Sequence, residues 1–171
     1  MMQMLAAGGL TPLTDGIRTA DDDNPRGYYE WEKIKQISSD PGLIAQGEGK
    51  LVKVISSLLL SLPIDHEYRI VFMRRPTPQV VASQAEMIRR QGRGAPGVPV
   101  AAMQAALEAH LRGVRAWLKP RSAMAVHWVD YPDLVAQPLE HARDIAAFLG
   151  SGLDIEAMAA QVTPSLFRQR I

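Results

Sequence analysis

The chain has 171 residues, 47% of them hydrophobic and 22% charged, a composition typical of a water-soluble globular protein with one domain over residues 1–171. A net charge of +1 argues against a broad basic surface for a nucleic-acid partner, and the absence of cysteine excludes disulfides and thiolate metal ligands. No apolar run approaches the roughly 18 residues of a membrane span and the amino terminus lacks a signal-type pattern, so we expect a cytoplasmic protein without a membrane span.

The first half of the chain alternates predicted helices and strands. MMQMLAAGG at residues 1–9 is typical of a helix that is already under way at its first residue and closes at the glycines. Residues 10–29 are loop-like, and a short helix is predicted from Glu30 to Ile37. The β-branched run KLVKVI at residues 50–55 predicts a strand, and YRIVFM at residues 68–73 predicts a second, buried strand.

The second half continues this alternation. A helical pattern follows the prolines after Arg75, and GRGAPGVP at residues 92–99 predicts a flexible break. A helix is predicted over Val100–Leu118, a third strand over residues 123–129, and a last helix over PLEHARDIAAFL, ended by Gly150. The order predicts an α/β domain in which all three strands lie parallel in one sheet, with helices on both faces.

Two adjacent arginines, Arg74 and Arg75, stand at the end of the second predicted strand. In an open parallel sheet this end borders the ligand crevice, and the next helix aims its free amide groups there. The planar fork of an arginine and the hydroxyl of Ser83 would both suit phosphate oxygens. From these residues alone, arginines that are solvated or paired with carboxylates remain the alternative.

Five short motifs follow one another along nearly the whole chain. They are NPRGYYE at residues 24–30, KLVKVIS at 50–56, Arg75 and Ser83 with seven residues between them, VDYPDLVAQP at 129–138 ahead of a helix ending AFLG, and VTPSLFRQR at 162–170. Together they resemble the bacterial sulfotransferases that use 3′-phosphoadenosine 5′-phosphosulfate as co-substrate. Each motif is short and degenerate, so the specificity of the resemblance lies in their order and spacing.

The resemblance implies a P-loop nucleotide-kinase-like fold, a three-layer α/β/α architecture with a parallel sheet. In the family, a strand and a loop rich in Gly, Ser, Thr and basic residues bind the 5′-phosphosulfate and open a helix. The helix at residues 1–9 resembles the helix after that loop, and no such loop occurs in the sequence. We therefore expect the first strand and the phosphosulfate loop to be missing, the sheet to be gapped or rearranged, and the chain to be an incomplete and inactive sulfotransferase domain.

The resemblance also implies roles for four residues. Arg75 matches the arginine that binds the 3′-phosphate of the nucleotide, with Ser83 as its serine partner, and Tyr131 matches a tyrosine near the adenine. Lys53 resembles a strand lysine near the transferred sulfuryl group, where its charge would offset the negative charge on the leaving phosphate. A core-packed ring for Tyr131 and a sheet-edge position for Lys53 are the alternatives.

The acceptor hydroxyl needs a base as it attacks sulfur. Many relatives use a histidine two positions after the strand lysine, where this chain has Ile55. Other branches of the family use a glutamate, so we expect Glu30 to be the base, with Glu32 as a weaker choice. A plain helix N-terminal acid is the alternative for Glu30.

No metal is expected to take part. The four histidines show no ligand spacing, and the DDDN run at residues 21–24 fails as a calcium loop because Arg26 stands where glycine is needed. The implied function is sulfuryl transfer to a hydroxyl or amine acceptor, which could be a small molecule, a glycan, a lipid or a peptide. The alternatives are a non-catalytic nucleotide-binding or interaction module and, more weakly, a nucleotide kinase.

Overall fold

The computed structural model describes residues 1–17, 27–90, 97–150 and 152–163, and a two-stranded parallel sheet lies at its centre. Strand β1 spans Tyr68–Arg74 and strand β2 spans Met124–Asp130. The two strands pair in register, so that Arg74 lies opposite Asp130 at their carboxyl ends. The described part of the chain is thus of mixed helix and strand, and two of the three strands predicted from the sequence are confirmed as parallel neighbours.

Seven α-helices are formed by the described residues. They are α1 (Met2–Ala7), α2 (Ser56–Leu59), α3 (Thr77–Arg90), α4 (Val100–Leu118), α5 (Tyr131–Ala136), α6 (Pro138–Leu149) and α7 (Ile155–Ala160). Two 3-10 helices, Glu32–Gln36 and Pro41–Gly47, precede α2. The prediction of a short helix from Glu30 to Ile37 is thus met by a tighter 3-10 helix. None of the described helices combines the length and the apolar character needed to cross a membrane.

Local chemistry explains where the later helices begin and end. Pro138 stands at the first position of α6, where its fixed φ suits the helix and its missing N–H costs no hydrogen bond. The helix ends at Gly150, whose φ of 89° is a left-handed conformation that favours glycine. In α7, the Asp154 side chain accepts a hydrogen bond of 2.8 Å from the backbone N–H of Ala157.

Side chains of the strands alternate between two hydrophobic clusters, one on each face of the sheet. The first-face cluster is built on alternate strand residues and on helices, namely Trp31, Ile34, Ile37, Leu43, Leu59, Leu62, Val114, Leu118 and Met124, with Phe72, Val126 and Trp128 packed against it. The second-face cluster comprises Met4, Leu5, Val129, Leu134, Ala142, Ile145 and Met158, with Val71 and Met73 packed against it. Because successive strand residues point to opposite faces, each cluster lies on its own face of the sheet, the first with residues of α2 and α4 and the second with residues of α1, α5, α6 and α7.

The strand predicted at residues 50–55 is wrong as a strand. Only Leu51 forms a β-bridge, a parallel one with Pro12, through hydrogen bonds of 2.9 Å from Leu51 N to Thr11 O and from Leu13 N to Leu51 O. The next step of the ladder would need Asp15 N to donate to the carbonyl oxygen of Lys53, but Asp15 N donates instead to the carbonyl oxygen of Glu30 at 3.2 Å. The ladder therefore stops after one bridge, although Leu51 still packs against the second-face cluster and Val52 against the first-face cluster.

Three other sequence predictions fall wholly or mostly outside the described residues. The flexible break predicted at residues 92–99 overlaps them only at Gly97, Val98 and Pro99. The DDDN run at residues 21–24 lies outside them, and of the motif at residues 162–170 only the first two residues are described.

Candidate functional site

The carboxyl ends of β1 and β2 bring two arginines together with acidic and aromatic side chains. Arg74 forms an ion pair with Asp130, which faces it across the two strands. Its guanidinium carbon lies 5.8 Å from the ring centroid of Trp128, and its buried Nε has no hydrogen-bond partner among the described residues. Arg74 is thus held by β2, which agrees with the ordinary reading of a strand-end arginine paired with a carboxylate.

Arg75 lies one residue beyond the strand and is held differently. Its guanidinium carbon lies 5.3 Å from the ring centroid of Tyr131, the first residue of α5, within the range of a cation–π contact. Its Nε donates a hydrogen bond of 3.0 Å to Oε1 of Gln79. Gln79 is only 6% exposed, so the acceptor is fixed by the packing of α3. These two contacts set both the position and the plane of the guanidinium.

Helix α3 places Gln79 and Ser83 on one side. Both lie at intervals of four residues from Arg75, and four residues are close to one helical turn. Ser83 is half-buried. Pro78 stands in the first turn of α3 and has no N–H, so this helix offers fewer free amide groups than expected from the sequence. Anion binding at this end would therefore depend mainly on side chains.

Glu30 and Lys53 form a second pair. Lys53 Nζ lies 3.1 Å from Glu30 Oε1 and donates a hydrogen bond of 3.0 Å to the carbonyl oxygen of Tyr28. The same ammonium lies 5.7 Å from the ring centroid of Tyr28. The side chains of Lys53 and Glu30 are 32% and 23% exposed, so the ion pair is partly screened from solvent. The alternative of a plain sheet-edge position for Lys53 does not include this ion pair.

The backbone around Glu30 is fixed by the segment that precedes it. The carbonyl oxygen of Glu30 accepts hydrogen bonds from Asp15 N at 3.2 Å and from the Thr14 hydroxyl at 3.0 Å. The Asp15 carboxylate accepts from Glu32 N at 2.6 Å, and this hydrogen bond is the main reason why the pKa of Asp15 is lowered. Tyr29, beside Glu30, has a φ of 51°, a conformation that is unfavourable for an aromatic residue.

The five residues expected at the site thus fall into two groups. Arg75 and Tyr131 are in contact at the sheet end, and Ser83 lies farther along α3, whereas Glu30 and Lys53 are joined to each other across 23 positions of sequence. Sequence reasoning missed Gln79, although its spacing of four residues from Arg75 was a signal that could have identified it.

The described part of the chain contains no group of three His, Cys, Asp or Glu side chains that is arranged to hold a metal ion. Three of the four histidines make contacts of other kinds. His110 Nε2 lies 2.9 Å from the Ser56 hydroxyl, and the ring of His127 stacks on Phe148 at 5.3 Å. His66 lies edge-on to Tyr68.

Comparisons with known proteins add no family to this description. Scans of protein-family models, of curated proteins and of solved structures found no match to the chain. The chemistry of the site is therefore inferred from its own residues and their surroundings.

Proposed function

We propose that the carboxyl end of the sheet binds the 3′-phosphate of an adenine nucleotide, and that the chain serves sulfuryl transfer from 3′-phosphoadenosine 5′-phosphosulfate to a hydroxyl or amine acceptor. The observation that carries the proposal is the fixed guanidinium of Arg75, which lies against Tyr131 and is hydrogen-bonded to the buried Gln79. The resemblance of the five sequence motifs supplies the identity of the nucleotide.

A phosphate suits this arrangement for reasons of geometry. A guanidinium carries five N–H donors in a rigid fork that matches phosphate oxygens, and Gln79 accepts from one of those donors. Because the acceptor is buried, little side-chain entropy would be lost when an anion binds Arg75. Ser83, on the same side of α3, would add a hydroxyl donor, and the ring of Tyr131 would lie near the adenine.

Glu30 and Lys53 would act on the acceptor and on the leaving group. As the acceptor oxygen bonds to sulfur, its proton passes to the Glu30 carboxylate and the bond between sulfur and the phosphate oxygen breaks. The Lys53 ammonium would offset the negative charge that develops on the departing phosphate. Their ion pair would have to open or share its charge with substrate for both roles to be filled.

The finer fold assignment belongs to the same proposal. A three-layer P-loop nucleotide-kinase-like fold is supported by a parallel strand pair with helices on both faces. It is further supported by Leu51, which packs against the second-face cluster, and by Val52 and Val54, which pack against the first-face cluster. In such folds ligands bind at the carboxyl ends of the strands, where Arg75 and Tyr131 lie.

Titration calorimetry with 3′,5′-diphosphoadenosine tests the binding step. Arg75→Ala is expected to weaken binding by about ten- to a hundredfold, the scale of a lost hydrogen bond to a charged group. Arg143→Ala, an exposed arginine of α6 on another part of the chain, is the matched control and should leave affinity unchanged. An Arg75→Ala protein that folds and binds as tightly as wild type would refute the site.

A nucleotide-binding module without catalysis is the second candidate, and the mutual pairing of Glu30 and Lys53 favours it. Sulfuryl transfer to a panel of hydroxyl acceptors distinguishes the two. If wild type turns over, Glu30→Gln should keep nucleotide affinity and lower turnover by about 10²–10⁴-fold, the range for a lost general base. Turnover by wild type would exclude the module.

A further inference from the structure

A cleft of about 460 Å³ lies on the first face of the sheet, between β2 and the carboxyl end of α4. Its apolar lining comes from Leu118, Met124, Val126 and Trp128, and its basic lining from Arg74, Arg115, Lys119 and Arg121. None of the described residues that line it is acidic. This volume falls within the range of sites that hold small molecules.

The positive charge of this basic cleft is poorly compensated. Arg115, Lys119 and Arg121 form no ion pair with a carboxylate of the described residues. Arg74 is paired with Asp130, which is not among the lining residues, and the buried Nε of Arg74 has no hydrogen-bond partner in the described part of the chain. The described surroundings therefore leave an excess of cations in one concave surface.

The ordinary explanation of these cations covers only part of them. Basic side chains in the last turn of a helix interact favourably with its dipole, and this accounts for Arg115 and Lys119. Arg121 lies beyond α4, where it donates to the carbonyl oxygen of Trp117 and lies 3.9 Å from that ring. Arg74 is the last residue of β1. The cations of the cleft thus come from α4, from the turn after it and from β1. The carboxyl end of α4 would by itself repel an anion.

Trp128 gives the basic cleft its aromatic surface. The guanidinium carbons of Arg115 and Arg74 lie 5.1 Å and 5.8 Å from its ring centroid. Phe72 packs against the same ring with centroids 4.8 Å apart, which restricts its movement. A flat ligand ring could lie on these apolar and guanidinium surfaces while its charged group contacts the cations.

We propose that the basic cleft binds an aromatic anion, a molecule with a flat ring that carries a phosphate, sulfate or carboxylate group. This site is separate from Arg75 and does not depend on the nucleotide-binding proposal. The apolar lining selects the ring, and the surrounding cations select the charge. A ligand with only the ring or only the charged group is expected to bind weakly.

Calorimetry with 2-naphthyl phosphate, 2-naphthol and inorganic phosphate separates the two contributions. We expect saturable binding of 2-naphthyl phosphate, with each of the other two probes at least about tenfold weaker, since each lacks one half of the recognition. The indole N–H resonance of Trp128 should shift with 2-naphthyl phosphate, while that of the buried Trp31 should not. Equal affinities for the three probes, or an unchanged Trp128 resonance, would overturn the proposal.

The exposed pair Arg115→Ala and Lys119→Ala, combined in one protein, tests the cations without disturbing the core. Affinity for 2-naphthyl phosphate should fall about two- to thirtyfold, the combined loss of two exposed charge contacts. Arg112→Ala, on the same helix but outside the cleft, is the matched control and should have no effect. A loss from Arg112→Ala as large as that from the double variant would refute the site, as would binding of poly-glutamate without binding of 2-naphthyl phosphate.

Discussion

Gln79 is the residue whose substitution tests how the Arg75 guanidinium is positioned. Gln79→Met keeps the length and the approximate volume of the side chain but removes the oxygen that accepts from Arg75 Nε at 3.0 Å. Volume-conserving changes in a packed position usually cost less than about 1.5 kcal/mol. A hydrogen bond from a charged donor contributes about 1.5–3 kcal/mol, and because Arg75 is only half-buried, water can replace part of it.

We therefore expect Gln79→Met to lower the free energy of unfolding by about 1–2 kcal/mol and the affinity for 3′,5′-diphosphoadenosine by about three- to tenfold. Urea denaturation measures the first quantity and titration calorimetry the second. Gln84→Met makes the same change on the exposed side of α3 and is the control. If Gln79→Met left nucleotide affinity intact, or if Gln84→Met reduced it equally, the positioning role of Gln79 would be refuted.

Two further predictions concern the fold. Gly150→Ala should lower the free energy of unfolding, measured by urea denaturation, by about 1 kcal/mol because the φ of 89° at this position disfavours a side chain. Gly113→Ala lies in the interior of α4 with open space around it, so it should raise the free energy of unfolding by about 0.5–1 kcal/mol. Burial, and then the charge of Asp65, raises the pKa of Tyr68 to about 12, so one tyrosine should ionise late in an ultraviolet titration. The unfolded chain ionises near 10, so the stability due to neutral Tyr68 is present below that pH and is lost as pH rises towards 12; Tyr68→Phe should weaken this decline.

The parts of the fold that the sequence predicts well are those with local causes. The apolar spacing of α4 and the glycine after α6 lie within the segments that they determine, so both helices are found where they are expected. The strand expected at residues 50–55 depends on a distant partner, and no local pattern reveals that this partner begins at Pro12. Strand pairing is a property of two segments, which one segment cannot specify.

The candidate site also combines contacts that the sequence predicts with contacts that depend on distant segments. The proximity of Arg75 and Tyr131 follows from two parallel strands ending at one edge, and the sequence predicts it once the strands are identified. The pairing of Arg74 with Asp130 instead depends on the register of β1 and β2, which the packing of both clusters determines. The bond between Glu30 and Lys53 also depends on the path of the segment before Glu30, including Asp15.

A comparison of two nucleotides in two proteins tests the central claim most directly. Calorimetry would measure 3′,5′-diphosphoadenosine and adenosine 5′-monophosphate, which differ by the 3′-phosphate, against wild type and Arg75→Ala. The proposal predicts that wild type prefers the diphosphate by about ten- to a hundredfold and that Arg75→Ala loses most of this preference, because the substitution removes the group that recognises the additional phosphate. A preference that survives in Arg75→Ala, or equal affinities of wild type for the two nucleotides, would contradict it.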